Sequence, residues 1–219
     1  MRVSIVLPVC ACFLIASPPG ALAGPAPDGN RPARHARVLR VQPNDPLTRH
    51  NLAHLEARSR TARDVLDRLA LLEHVVLLVR AHPRLVPETR LYGRGRFWVV
   101  DGRLFGLLEY QAEPRGSTRA LRVLAHELGH ALEVALAPRG RDTRALRDVL
   151  LAREDANAET NAALAVETKF ARLVGYRVHL ELTGRAPAGD GLAAAATAAR
   201  LELPLALGAL DTAVGEDRR

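Results

Sequence analysis

Cysteine is nearly missing from this chain: of 219 residues only Cys10 and Cys12 are cysteine, and both fall in an apolar run near the N-terminus. From residue 24 onward there is no thiol. That excludes a disulfide framework and a thiolate-ligated metal in the body of the chain. Aromatic residues make up only 4%, and Lys169 is the sole lysine among 31 basic residues. The formal charge of +7 is therefore carried by scattered arginines in an alanine-rich background, as a GC-rich coding bias produces. Nucleic-acid recognition would want basic residues clustered and interleaved with aromatics, so no nucleic-acid partner is expected. The N-terminal apolar run, residues 3–16, is also shorter than the roughly 20 residues that span a bilayer.

That run has the form of an export signal. Arg2 gives it a basic start, Pro18-Pro19-Gly20 breaks it, and Ala21-Leu22-Ala23 supplies an A-x-A cleavage site ahead of Gly24. Cys10 and Cys12 lie too early in it to begin a lipid-modified chain. The expected organisation is a signal peptide at residues 1–23, a flexible Pro/Gly/Ala-rich linker at 24–40, and one domain at 41–219. The expected location is secreted or periplasmic, with no stable membrane insertion after cleavage.

Thr61 can cap a helix whose apolar positions Val65, Leu66, Leu69 and Leu72 follow helical spacing. Residues 74–79 turn continuously apolar, as a buried strand does. Residues 97–100 and 104–110 flank Asp101-Gly102, a favoured two-residue hairpin turn. Ser117 and Thr118 mark the start of a long helix, with Pro138 past its end. Residues 145–182 read as largely helical, 184–191 as a loop, and 192–201 as another helix. The order predicts an α+β domain: a small antiparallel sheet, then the long helix, then further helices.

Inside that long helix stands His126-Glu127-Leu128-Gly129-His130, an H-E-x-x-H pattern. Residues four apart share a helix face, so the two imidazoles can grip one metal ion. Glu127, next to the first of them, can take a proton from a water held there. Two histidines with a glutamate base is the arrangement of zinc peptidases, so Zn²⁺ is the expected cofactor, His126 and His130 its ligands, and Glu127 the catalytic base. A solvated helix face is the bland alternative. It fits poorly, because between Val123 and Leu132 the only acidic or basic side chain besides the two histidines is Glu127.

A catalytic zinc takes three protein ligands and keeps one position open. A third histidine in the H-E-x-x-H-x-x-G-x-x-H pattern is excluded, because the glycine and histidine positions hold Glu133 and Leu136. The third ligand is then a later carboxylate: Glu154, Asp155, Glu159 or Glu167. On a helix, Glu167 would sit among Ala163, Leu164, Phe170, Ala171 and Val174, where a bare carboxylate is costly unless a cation receives it. Glu167 is the first choice and Glu159 the second. Tyr176 and His179, farther along, could polarise a carbonyl. Residues 104–110 could form the strand that holds an extended peptide. His50 and His54 share helical spacing without a glutamate beside them. Glu133 reads as a solvated group or a partner of a ligand.

The stretch from Val123 to Ala135 resembles a group of secreted bacterial H-E-L-x-H proteins. Glu167-Thr168, Ala171, Gly175, Val178 and Glu181-Leu182 resemble that group's E-T-x-x-A…G…V…E-L pattern. More broadly the chain is similar to the gluzincin class, which implies a zincin-like fold and a helix glutamate as third ligand. It departs from the E-x-E-A-D or E-x-E-A-N form of several gluzincins, with Asp155-Ala156-Asn157 a partial match. The implied function is a secreted zinc metallopeptidase that hydrolyses peptide bonds of a peptide or protein substrate with a zinc-activated water. The alternatives are an inactive zinc-binding module of the cell envelope and an amphipathic helical protein that binds surfaces.

Overall fold

A computed structural model describes residues 40–83, 85, 92–137, 167–186 and 191–199. In chain order these form β1 (Val41–Pro43), α1 (Pro46–Arg58), α2 (Arg60–Leu71), β2 (Val75–His82), β3 (Gly93–Val100), β4 (Arg103–Gln111), α3 (Thr118–Ala135), α4 (Lys169–Leu182) and α5 (Gly191–Ala199). The result is a mixed α and β architecture, a four-stranded sheet with five helices among the described residues. None of those helices is long and apolar enough to cross a membrane.

The sheet departs from the antiparallel expectation. Its order is β1-β2-β4-β3, with β1 parallel to β2, β2 parallel to β4, and only β3 antiparallel to β4. The reason is topological. A parallel pair needs a long crossover, and α1 with α2 supplies it between β1 and β2. The hairpin turn is as read: Asp101 and Gly102 both take positive φ, 49° and 70°, the backbone of a type I′ turn.

Alternation then sorts the strands into two faces. Val75, Leu77, Val79, Leu104, Leu108 and Tyr110 are buried toward the helices. On the other face the register aligns Arg80, Glu109 and Arg94 in one row across β2, β4 and β3. Both guanidiniums bind the fully buried Glu109 carboxylate. Burial alone would raise its pKa; the two arginines outweigh that and hold it below the ordinary value.

Helix α2 begins earlier than Thr61 predicts. Ser59 is the cap and accepts from the Ala62 N–H at 3.0 Å. Thr61 donates its hydroxyl to Glu181 of α4 instead, at 2.6 Å, and Ser59 donates to the same carboxylate. A sequence cannot show that a distant glutamate will claim the second hydroxyl.

Helix α3 opens at Ser117, whose side chain accepts from the Ala120 N–H, and it is buried continuously from Leu128 to Ala135. It lies between the sheet and α4. The approach to α4 is close enough to require glycine: a Cβ on Gly129 would stand 2.9 Å from Ala171 Cα, and one on Gly175 would stand 3.1 Å from His126 Cβ. Gly129→Ala is therefore expected to destabilise the fold by about 1–3 kcal/mol through overpacking. That overrides the gain of about 1 kcal/mol that alanine brings to an open helix. Urea denaturation of the two proteins measures it, and equal midpoints would show that the helices can separate without loss.

Candidate metal centre

The long helix delivers what its spacing promises. His126 and His130 stand on one face of α3 with ring centroids 4.8 Å apart and planes at 84°. Glu167 meets them from outside that helix, with its Oε2 at 3.4 Å from His126 Nε2. One donor atom from each of the three residues lies within 4.8 Å of the others, the one such group among the described residues.

Glu167 arrives by a route other than the one its sequence suggests. It lies just ahead of α4, whose N-cap is Thr168, so it is not in the middle of an apolar helix face. Phe170, Ala171 and Val174 belong to a helix that starts two residues later, and Ala163 and Leu164 lie outside the described residues. What brings the carboxylate to the histidines is the cap itself, since Thr168 anchors the chain to α3 at that point. Glu154, Asp155 and Glu159 lie outside the described residues.

Glu127 reaches toward the sheet. A Cβ on Gly93, the first residue of β3, would strike its carboxylate and would stand 2.7 Å from Val123 Cγ1. Glycine at the start of β3 thus leaves the space that Glu127 fills. This also corrects the expectation for residues 104–110. Strand β4 is paired on both sides, by β2 and β3, and has no free edge to offer a peptide. Among the described residues the edge strand next to the centre is β3. Nothing in an alternation pattern tells an edge strand from an inner one, although the glycines at 93 and 95 mark a close backbone approach.

Electrostatically the centre is crowded with carboxylates. Glu127 is buried, and that burial, with Glu167 adding to it against the opposing effect of His130, pushes its pKa up to about 7. For His130 burial alone would lower the pKa. The Glu133, Glu127 and Glu167 carboxylates outweigh it, so the imidazole holds its proton more tightly than usual. His126 goes the other way: burial, then the charges of His130 and Arg122, drive it well below the ordinary value, against a backbone hydrogen bond with Ala171. It is a neutral imidazole with a lone pair to give. Two imidazoles and three carboxylates, with Glu127, His130 and Glu133 buried among them, call for a cation.

The donor set fits zinc. Two ligands at about 2.0–2.2 Å from a tetrahedral centre stand about 3.4 Å apart, the separation of His126 Nε2 and Glu167 Oε2. The His126 and Glu167 side chains remain 20% and 29% exposed, so the centre opens to solvent on their side while Glu127 and His130 are closed in.

The other sequence candidates separate clearly. Glu133 is neither solvated nor exposed: it is buried against Thr168 and His130. His179 lies one turn of α4 beyond the Gly175 that abuts His126, and it is not one of the donors that converge. Tyr176 points half-exposed to solvent, one residue from the Gly175 that abuts His126. His50 and His54 sit with rings 6.2 Å apart on α1, and no third donor joins them among the described residues. The part of Thr168 went unread, because a threonine that caps one helix gives no sequence sign of the second helix it ties. Comparison with known proteins finds no matching family model, no matching curated protein and no matching solved structure, so the reading of this centre rests on its own residues.

Proposed function

We propose that this chain is a secreted zinc metallopeptidase with a zincin-like α+β fold. The observation that carries the proposal is the convergence of His126, His130 and Glu167, with the buried Glu127 carboxylate close enough to feel the charges of His130 and Glu167. His126, His130 and Glu167 would hold the metal. Zinc at that position supplies a Lewis acid that acidifies water and polarises a scissile carbonyl.

The remaining chemistry belongs to the chain. Glu127 accepts the proton of the attacking water and returns it to the leaving amine. The edge of β3 that no strand occupies among the described residues can pair with an extended peptide by strand addition, which would lay a substrate backbone alongside Glu127 through Gly93. The Ala21-Leu22-Ala23 cleavage pattern supports export, and a thiol-free body suits an oxidising compartment.

Metal analysis and turnover test this together. Purified protein is expected to carry about one zinc per chain, and His126→Ala to lose it. Wild type should cleave an unfolded protein substrate, and chelation should stop it. Absence of zinc after careful reconstitution overturns the metal centre. Bound zinc with no turnover on any peptide or protein mixture leaves a zinc-binding module of the envelope and overturns the peptidase.

A further inference from the structure

Glu133 follows His130 by one turn of α3 and is only 1% exposed. A carboxylate so deep must be received by donors. Thr168 is one of them: its hydroxyl donates to Glu133 Oε2, and its oxygen accepts the Ala171 N–H at 3.3 Å as the cap of α4. His130 Nδ1 faces both partners, 3.4 Å from Thr168 Oγ1 and 3.6 Å from Glu133 Oε2.

The donor count decides the state of the ring. A threonine hydroxyl has one proton, and here it goes to Glu133. Toward His130 the hydroxyl oxygen and the carboxylate can then only accept. A hydrogen bond between the ring and this pair then takes its hydrogen from Nδ1. A neutral imidazole carries one N–H, so the lone pair is left on Nε2.

We propose that Glu133, together with Thr168, is a positioning residue pair that locks His130 in the Nδ1–H tautomer and so presents Nε2 to the metal. The inference rests on the metal-centre reading for its purpose, but its geometry stands alone. It also explains why the third ligand lies where it does. Thr168 follows Glu167 directly, so the hydroxyl that fixes the His130 ring also pins the chain that carries the Glu167 carboxylate. One contact sets two ligands from two elements. A carboxylate that orients a ligating histidine typically contributes 10- to 100-fold in metal affinity.

The test has two arms on the full chain. The first is ¹⁵N NMR of the His130 ring in metal-free protein, at alkaline pH where the imidazole is neutral. The expected result is protonation at Nδ1 in wild type and a shift toward mixed tautomers in Thr168→Val. An Nε2–H ring in wild type overturns the proposal. The second is zinc affinity. Glu133→Gln, which keeps shape and removes charge, is expected to weaken binding about 10- to 100-fold. Thr168→Ser, which keeps the hydroxyl, should retain wild-type affinity, and Thr168→Val should not. Unchanged affinity in both Glu133→Gln and Thr168→Val overturns the proposal. If Glu133→Gln fails to fold, the wild-type tautomer and the Thr168 pair still decide. If wild type binds no zinc, the metal centre falls while the tautomer arm continues to judge the lock.

Discussion

Glu127→Gln is expected to lower hydrolysis by about 10²–10⁴-fold while leaving zinc bound and making the metal-free protein more stable. The two effects share one cause. A carboxamide cannot take a proton from water, so the base is lost. It also has no charge to bury. In the metal-free fold the Glu127 pKa is raised from 4.5 to about 7 by burial, with Glu167 adding to it. A carboxylate whose folded pKa is raised helps the fold below its unfolded pKa and loses that help as pH rises through the folded one. Above neutrality the ionised side chain therefore costs stability, about 3 kcal/mol for a shift of this size. The glutamine variant escapes that cost. Its advantage should be small near pH 4 and fully grown near pH 8. Urea denaturation of metal-free wild type and variant at the two pH values reads it directly. Equal stability at both would mean that the carboxylate is solvated when ionised. Full activity in the variant would end the general-base assignment, and loss of zinc would make Glu127 a ligand.

This opposition between stability and chemistry says why the motif was so readable. A helix interior that carries His126, Glu127 and His130 among leucine, alanine and glycine breaks the rule that buried polar groups are rare. Such a breach shows in sequence because local spacing expresses it entirely: four residues are one turn, and one turn is one face. The hairpin at Asp101-Gly102 was legible for the same reason, since two adjacent residues determine the turn. The sheet was not. Whether β4 lies at an edge or inside depends on β2 coming to it in parallel from across the molecule, and no window of sequence contains that pairing. The cap of α2 shows the same limit on a smaller scale. Ser59 and Thr61 were both competent caps, and the choice was made by Glu181 in α4.

Glu167 stands between the two cases, and its replacement is the second large effect. Sequence spacing marks it as a carboxylate among apolar helix positions, yet the helix begins after it. What holds it at the centre is Thr168, which caps α4 and donates to Glu133 of α3, and that second tie leaves no mark in the sequence. Glu167→Ala removes a charged ligand and should weaken zinc binding by at least about 100-fold, more than a residue acting through another would. Hydrolysis should fall with it. Glu159→Ala should leave zinc affinity unchanged, and the reverse result would move the third ligand to Glu159 while keeping the two histidines and the base. A second readout guards the assignment. The Glu167 charge is one of the causes that raise the Glu127 pKa, so in the metal-free protein Glu167→Ala should bring that pKa down. Infrared or NMR titration of Glu127 then answers without any metal present. A Glu127 titration that does not move would place the Glu167 carboxylate away from the centre, and a loss of zinc alone could no longer be assigned to a missing ligand.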